Sequence, residues 1–190
     1  MNKKLNNTKI FIHIHPVSRW LFKCIADKIM AKIIDFCEME LNAKVVLTAA
    51  PEKAELNKVY NIVKLCKSNP INLSGELSLK QTAALNKKAK LFIGVDTAIM
   101  HISAANDTPV LAFFGPTSPD TWGPWDNDLD CATYHRRGGL QINGKHHVLS
   151  TTKHCLPCNN HGCDDANISD CLMHLDDSTV KQNIIDMLSL

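Results

Sequence analysis

The sequence predicts an α/β fold, a Rossmann-like parallel sheet with helices on both faces. Three observations predict it. Short apolar runs alternate with stretches of helical spacing, in the order βαβαβαβαβ. The runs are too continuously apolar to face water on one side, which is the mark of strands buried on both faces. Polar residues collect just after the runs, where ligands sit in such sheets.

The elements follow in order. "KIFIHIHP" (Lys9 to Pro16) is a β-branched and aromatic run stopped by proline, and reads as a strand. From Cys24 to Leu41, Ile25, Ile29, Ile33, Phe36 and Cys37 fall at helical spacing. "AKVVLTAA" is the second strand. Pro51 then opens a helix with Glu52 in its first turn and Leu56, Val59, Tyr60, Val63 and Cys66 as its apolar face. "INLSG" after Pro70 is a short third strand, and Ser78 caps the helix "LKQTAALNKKA". "LFIGV" is the fourth strand, "AIMHISAAN" a short helix, and "PVLAFFG" the fifth strand. Beyond Gly115 the pattern gives way to loops, with weak strands expected near Cys131 to His135 and His146 to Leu149. A last helix runs from Asp177 to Leu188, with Val180, Ile184, Ile185 and Leu188 on one face.

Composition narrows the function classes. The net charge is only +2, from 21 basic and 19 acidic residues, so no electrostatic case exists for a nucleic-acid partner. No apolar run approaches the ~20 residues of a membrane span. The start, "MNKKLNNTKI", lacks the apolar core of a secretory signal, and a cytoplasmic location is expected.

The strand ends carry the chemistry. His15, Ser18, Arg19 and Lys23 follow the first strand, Glu52 the second, Leu77 the third. Asp96, Thr97, Ala98, Ile99 and His101 follow the fourth, and Gly115, Pro116 and Thr117 the fifth. Free backbone N–H groups at the helix start after Asp96 suit an anion. The Thr97 hydroxyl, Ser18, Arg19 and Lys23 add donors and positive charge. Glu52 suits a ribose hydroxyl. Plainer readings stand beside these: Asp96 as a helix N-cap, His101 as a structural histidine, Arg19 and Lys23 as solvated cations, the Gly-Pro segment as a turn. There is neither a GxGxxG fingerprint nor a Walker A loop.

"FIHIHPVSRWLFK", "GELSLKQTAALNKKAKLFIGVDTAIMHISAA" and "PVLAFFGPTSPDTWGPW" resemble the lipopolysaccharide heptosyltransferases, glycosyltransferase family 9, with "HPVSRWLFK" most like the type III branch. The resemblance covers the chain from about Lys9. It implies the carboxyl-terminal, donor-binding half of a GT-B glycosyltransferase, with ADP-L-glycero-D-manno-heptose as ligand and the lipopolysaccharide inner core as acceptor. It implies that Ser18 and Lys23 hold the donor diphosphate, that Glu52 contacts the ribose, and that Leu77 lies against the adenine. Asp96, Thr97, Ala98 and His101 match the motif around diphosphate and heptose. The spacing after Arg19 departs from the family, and Ala98 stands where some relatives have Gly. No catalytic residue is expected in this chain: the base belongs to an amino-terminal acceptor-binding half. No cofactor is required if protein donors neutralise the diphosphate. A peripheral position at the inner membrane through the acceptor follows from the same resemblance.

Residues 1–8 are expected to be disordered and 9–190 to form one nucleotide-sugar-binding domain, with 151–175 a Cys-rich loop and 176–190 a carboxyl-terminal helix. Four of the eight cysteines crowd that loop: Cys155, Cys158, Cys163 and Cys171. Their CxxC start admits zinc, with His154, His161 and His174 nearby, against reduced cysteines that pack a loop. Two alternatives to the enzyme reading therefore remain at this point. One is a split or degenerate nucleotide-sugar-binding module, inactive without its partner half. The other is a zinc-dependent interaction module.

Overall fold

Strand Phe11–His15 (β1) lies inside the sheet between two apolar strands, Lys44–Leu47 (β2) and Leu91–Val95 (β4). The computed structural model describes residues 10–164 and 166–188, so the expectation for residues 1–8 lies outside the described residues. Ile71–Asn72 (β3), Val110–Phe113 (β5), Gly139–Asn143 (β6) and His146–Ser150 (β7) complete a sheet of order β3-β2-β1-β4-β5-β7-β6. Every pairing is parallel except the β6–β7 hairpin. The order reverses direction between β1 and β4, which opens a crevice at their carboxyl ends.

Alternation along the strands sorts the core into two layers. Ile12, Ile14, Val45, Leu47, Ile93, Val95, Leu111 and Phe113 pack on one face. That face is covered by helices Asp27–Asp35 (α1) and Lys53–Leu65 (α2), and by the last helix, Asp177–Leu188 (α7). Phe92, Val110, Ala112, Phe114 and Val148 pack on the other, with Ile99, Met100 and Ala104 of helix Ala98–Ala105 (α4). Helix Leu79–Asn86 (α3) begins in a capping box: Ser78 Oγ accepts the Gln81 N–H, and the Gln81 side chain accepts the Ser78 N–H.

Several expectations are corrected. The helix expected from Cys24 begins at Asp27 after a 3₁₀ turn, Leu21–Lys23, and ends in a π turn, Phe36–Glu40. The inward face of α2 is Glu55, Val59 and Ile62, and Tyr60 is 65% exposed. A phenol tolerates water at its polar end, so helical spacing alone misplaced it. No strand forms over Cys131 to His135. Instead Gly139–Asn143 pairs with His146–Ser150 through a turn at Gly144, which has positive φ. The Cys-rich segment contains a short helix, Asp170–Met173 (α6), whose Leu172 is fully buried. Another, Pro119–Trp122 (α5), follows β5.

Candidate functional site

A cavity of about 610 Å³ lies at the carboxyl ends of β1, β2 and β4, beside the point where strand order reverses. Of the residues expected from sequence, Ser18, Arg19, Lys23, Leu77, Asp96, Thr97, Ala98, Ile99 and His101 line it. Glu52 does not. It is exposed at the start of α2, and the acid in the wall is Glu55, one turn further on. Glu55 is buried because one carboxylate oxygen accepts the Ala50 N–H at 3.0 Å. Gly115 and Pro116 stay behind the wall: a Cβ on Gly115 would sit 2.7 Å from the Leu172 side chain.

Thr117 reaches the site indirectly. Its hydroxyl donates to Asp96 Oδ2 at 2.8 Å, and Lys23 Nζ donates to the same oxygen at 2.6 Å. Asp96 is nearly buried, with its side chain 6% exposed against 18% for Lys23. Lys23 thus belongs to an ion pair and is not a solvated cation. Asp96 is also not the cap of α4. Thr97 is: its Oγ1 accepts the Met100 N–H at 3.4 Å. That leaves the first N–H groups of α4, on Ala98 and Ile99, pointing along the helix axis at the cavity mouth with the positive end of the helix dipole.

The opposite wall differs in chemistry. Ala49, Ala50, Pro51, Leu77 and Leu79 offer a largely apolar surface, and Trp20 and Trp122 stand half-exposed at the rim. The Arg19 guanidinium lies 5.8 Å from the centre of the Trp20 ring. Burial lowers the His101 pKa; Asp96 opposes the shift, and Lys23 adds to it. One cavity therefore joins an apolar slot to a rim of N–H donors and cations. It suits a flat apolar ring attached to an anion.

His15, one of the residues collected at the first strand's end, lines the cavity, and Glu55, Trp20, Trp122 and Thr82 line it without having been expected there. The signal for His15 was its place at a strand end. For Trp122 none existed, because it comes in on the α5 turn.

No residue of the Cys-rich segment lines the cavity, although His161 stacks on Trp20 at its rim, with ring centroids 5.9 Å apart. Among the described residues no three His, Cys, Asp or Glu side chains are placed to hold a metal ion. All eight cysteines are free, and Cys171 is buried. Burial pushes its thiol up to about 11, with Cys163, Cys158 and Cys155 adding to the shift.

Residues 2–147 match glycosyltransferase family 9 (heptosyltransferase). The chain is 35% identical over 133 residues to lipopolysaccharide heptosyltransferase 3 of Escherichia coli, covering 68% of this chain and 39% of that protein. A second protein of that name, from strain K12, is 38% identical over 120 residues, 63% of this chain and 35% of its own length. The chain thus spans well under half the length of these relatives. Among solved structures, E. coli ADP-heptose lps heptosyltransferase II superposes with a TM-score of 0.70 at 18% identity, over 98% of this chain and 48% of that one. The iron-containing dodecameric glycosyltransferase TibC of enterotoxigenic E. coli does so with a TM-score of 0.60 at 14% identity, over 96% of this chain and 47% of that one. At these identities the superpositions speak to the fold.

Proposed function

The chain belongs to glycosyltransferase family 9, the heptosyltransferases, and from that premise we propose that its cavity is the donor site of a heptosyltransferase acting on the lipopolysaccharide core. The donor is ADP-heptose. One observation carries the reading: a slot lined by Ala49, Ala50, Pro51, Leu77 and Leu79 opens onto the start of α4 beside the Lys23–Asp96–Thr117 cluster. The slot takes the adenine. The N–H groups of Ala98 and Ile99, with Lys23, Ser18 and Arg19, take the diphosphate.

The chemistry follows from that placement. In an inverting transfer the acceptor hydroxyl attacks the anomeric carbon and ADP departs with the bond's electron pair. The leaving group gains negative charge as the bond breaks. Donors fixed in advance stabilise that charge without reorganising, and stabilisation of this kind usually outweighs every other contribution to catalysis. Asp96 holds Lys23 in place, and Thr117 holds Asp96. The acceptor and the general base belong to an amino-terminal half of the kind the longer relatives have room for. No helix among the described residues is long and apolar enough to cross a membrane. The enzyme works in the cytoplasm and meets the inner membrane through its acceptor.

Calorimetry tests the reading. The expected order of affinity is ADP-heptose and ADP well above adenosine and GDP, with Arg19→Ala weakening the diphosphate ligands only. Equal affinity for ADP and GDP, or no binding of ADP, overturns it. The chain alone is expected to bind the donor without transferring heptose to a lipopolysaccharide acceptor.

A further inference from the structure

Period-two alternation puts His13 and His15 of β1 on one face, and both are buried, at 0% and 6% exposure. Thr48 lies between them. Its Oγ1 is 2.8 Å from His13 Nε2 and 2.9 Å from His15 Nδ1. Thr48 Oγ1 has no other hydrogen-bond partner among the described residues, so its one proton goes to one of the two histidines, and it accepts from the other if that ring nitrogen carries a proton. The direction is decided at the far end of a chain of hydrogen bonds.

That end is a backbone carbonyl, which only accepts. Ala83 O takes a proton from Asn106 Nδ2 at 2.9 Å. The same amide nitrogen donates to Asn86 Oδ1 at 3.3 Å, which fixes the orientation of the Asn86 amide. Asn86 Nδ2 then donates to Ser103 Oγ at 2.7 Å and to His13 Nδ1 at 3.1 Å. Ser103 sends its own proton to Ile99 O at 2.8 Å, so it is free to accept. His13 Nδ1 therefore carries a lone pair, and its proton sits on Nε2. That proton goes to Thr48, whose own proton goes to His15 Nδ1. The remaining proton of His15 is on Nε2.

Nε2 of His15 makes no hydrogen bond to any described residue, and the imidazole lines the cavity. Burial pushes His13 down to about 4, and burial together with His13 pushes His15 down to about 3, so both rings are neutral near pH 7. The side chain is thus a neutral donor, nine-tenths buried, with one N–H unspent and aimed into the site.

We propose that His15 is a binding residue of this cavity, whose Nε2–H donates to an oxygen of the ligand's diphosphate and whose tautomer is locked by Asn106, Asn86, His13 and Thr48. The assignment of the diphosphate rests on the ADP reading above. Three things favour a phosphate oxygen. β1 ends between β2 and β4, next to Asp96 and Thr97. The β4 backbone comes so close that a Cβ on Gly94 would meet His15 O at 2.9 Å. A phosphate oxygen accepts and never donates, so it matches an N–H and would be repelled by the lone pair of the other tautomer.

The test has two independent arms. Nitrogen chemical shifts of the histidines in the unliganded chain at neutral pH read the tautomer directly. His15 is expected to show a protonated Nε2 and an unprotonated Nδ1, and Thr48→Val to convert it to a mixture. A protonated Nδ1 in the wild type overturns the proposal with no ligand involved. The second arm is calorimetry with ADP and adenosine. His15→Phe is expected to lose about tenfold or more in ADP affinity, the range for a hydrogen bond to a charged group, and under about twofold for adenosine. His15→Gln, whose amide nitrogen falls near the place of Nε2, is expected to recover most of that loss. If His15→Phe folds poorly, His15→Asn replaces it, since its amide lies near Nδ1 and supplies no Nε2 donor. Wild type that binds ADP while the Phe or Asn variant binds it equally overturns the proposal and leaves the site reading intact. Equal losses for ADP and adenosine also overturn it, as general damage. Wild type that fails to bind ADP removes the site reading itself.

Discussion

Lys23→Met isolates the ion pair at the site's centre. The structure puts Lys23 Nζ 2.6 Å from Asp96 Oδ2, with side-chain exposures of 18% and 6%. An exposed pair would contribute ~0–1 kcal/mol, and breaking a fully buried one costs about 3–5 kcal/mol. This pair lies between, because water still reaches the ammonium. Asp96 also keeps the Thr117 hydroxyl as a second donor at 2.8 Å. The expected loss is therefore about 2 kcal/mol, close to the value of a hydrogen bond to a charged group. For a chain of this size that lowers Tm by roughly 4–8 °C. Methionine keeps the apolar stem, so packing losses stay small. The decisive measurement is a double-mutant cycle by urea unfolding with Asp96→Asn, which removes the stranded charge. Lys23→Met/Asp96→Asn is expected to be more stable than Lys23→Met alone, with a coupling energy of about 1.5 kcal/mol or more. A coupling below about 0.5 kcal/mol would mean that the pair is solvated in effect, and the reasoning from burial fails. The same series run by calorimetry separates structure from binding. Lys23→Met leaves a carboxylate facing the diphosphate, so ADP binding should fall much further than adenosine binding, and Asp96→Asn in the same chain should restore part of it.

Three further outcomes are expected. Thr97→Val should lower stability by ~0.5–2 kcal/mol through loss of the α4 cap, and Thr97→Ser should not; equal melting of the two variants refutes the capping role. Gly94→Ala should cost about 1–3 kcal/mol, because the new methyl would lie 2.7 Å from the Phe92 ring and 2.9 Å from His15 O; an unchanged urea midpoint shows that β4 yields freely. Acid should destabilise the fold through three neutral histidines, His13 at about 4, His15 at about 3 and His146 at about 4, against an ordinary value of 6.5. Their folded values are depressed, so below about 6.5 the unfolded chain binds more protons and stability falls with pH, by up to about 1.4 kcal/mol per pH unit for each histidine. Urea midpoints that stay flat between about pH 7 and 4.5 would contradict the neutral state of these rings.

Elements whose reason is local were legible in the sequence. "LFIGV" and "PVLAFFG" are strands because no face of them tolerates water, and they appear as Leu91–Val95 and Val110–Phe113. Ser78 and Gln81, three residues apart, close a capping box wherever the helix lies. Asp177–Leu188 is helical because its apolar spacing and length leave no other way to bury Val180 and Ile184. The polar residues of "GVDTAIMH" fall at the cavity's edge because strand ends and helix starts meet there in any sheet of this order. Other features depended on which distant residues arrived as neighbours. The cap reading of Asp96, open in the sequence beside the site reading, falls away because Lys23, 73 positions earlier, and Thr117, 21 positions later, take its oxygen. Glu52 and Glu55 are equivalent in the sequence, and only the angle at which α2 leaves β2 turns one outward and the other into the wall. The tautomer of His15 is set by Asn86, 73 positions from His13, and by the Ala83 carbonyl on the same helix as Asn86, reached through Asn106. Apolar patterning is legible because burial is a property of each residue's own chemistry. Charge pairing and proton placement are properties of pairs and chains of groups, and the tertiary fold alone chooses the partners.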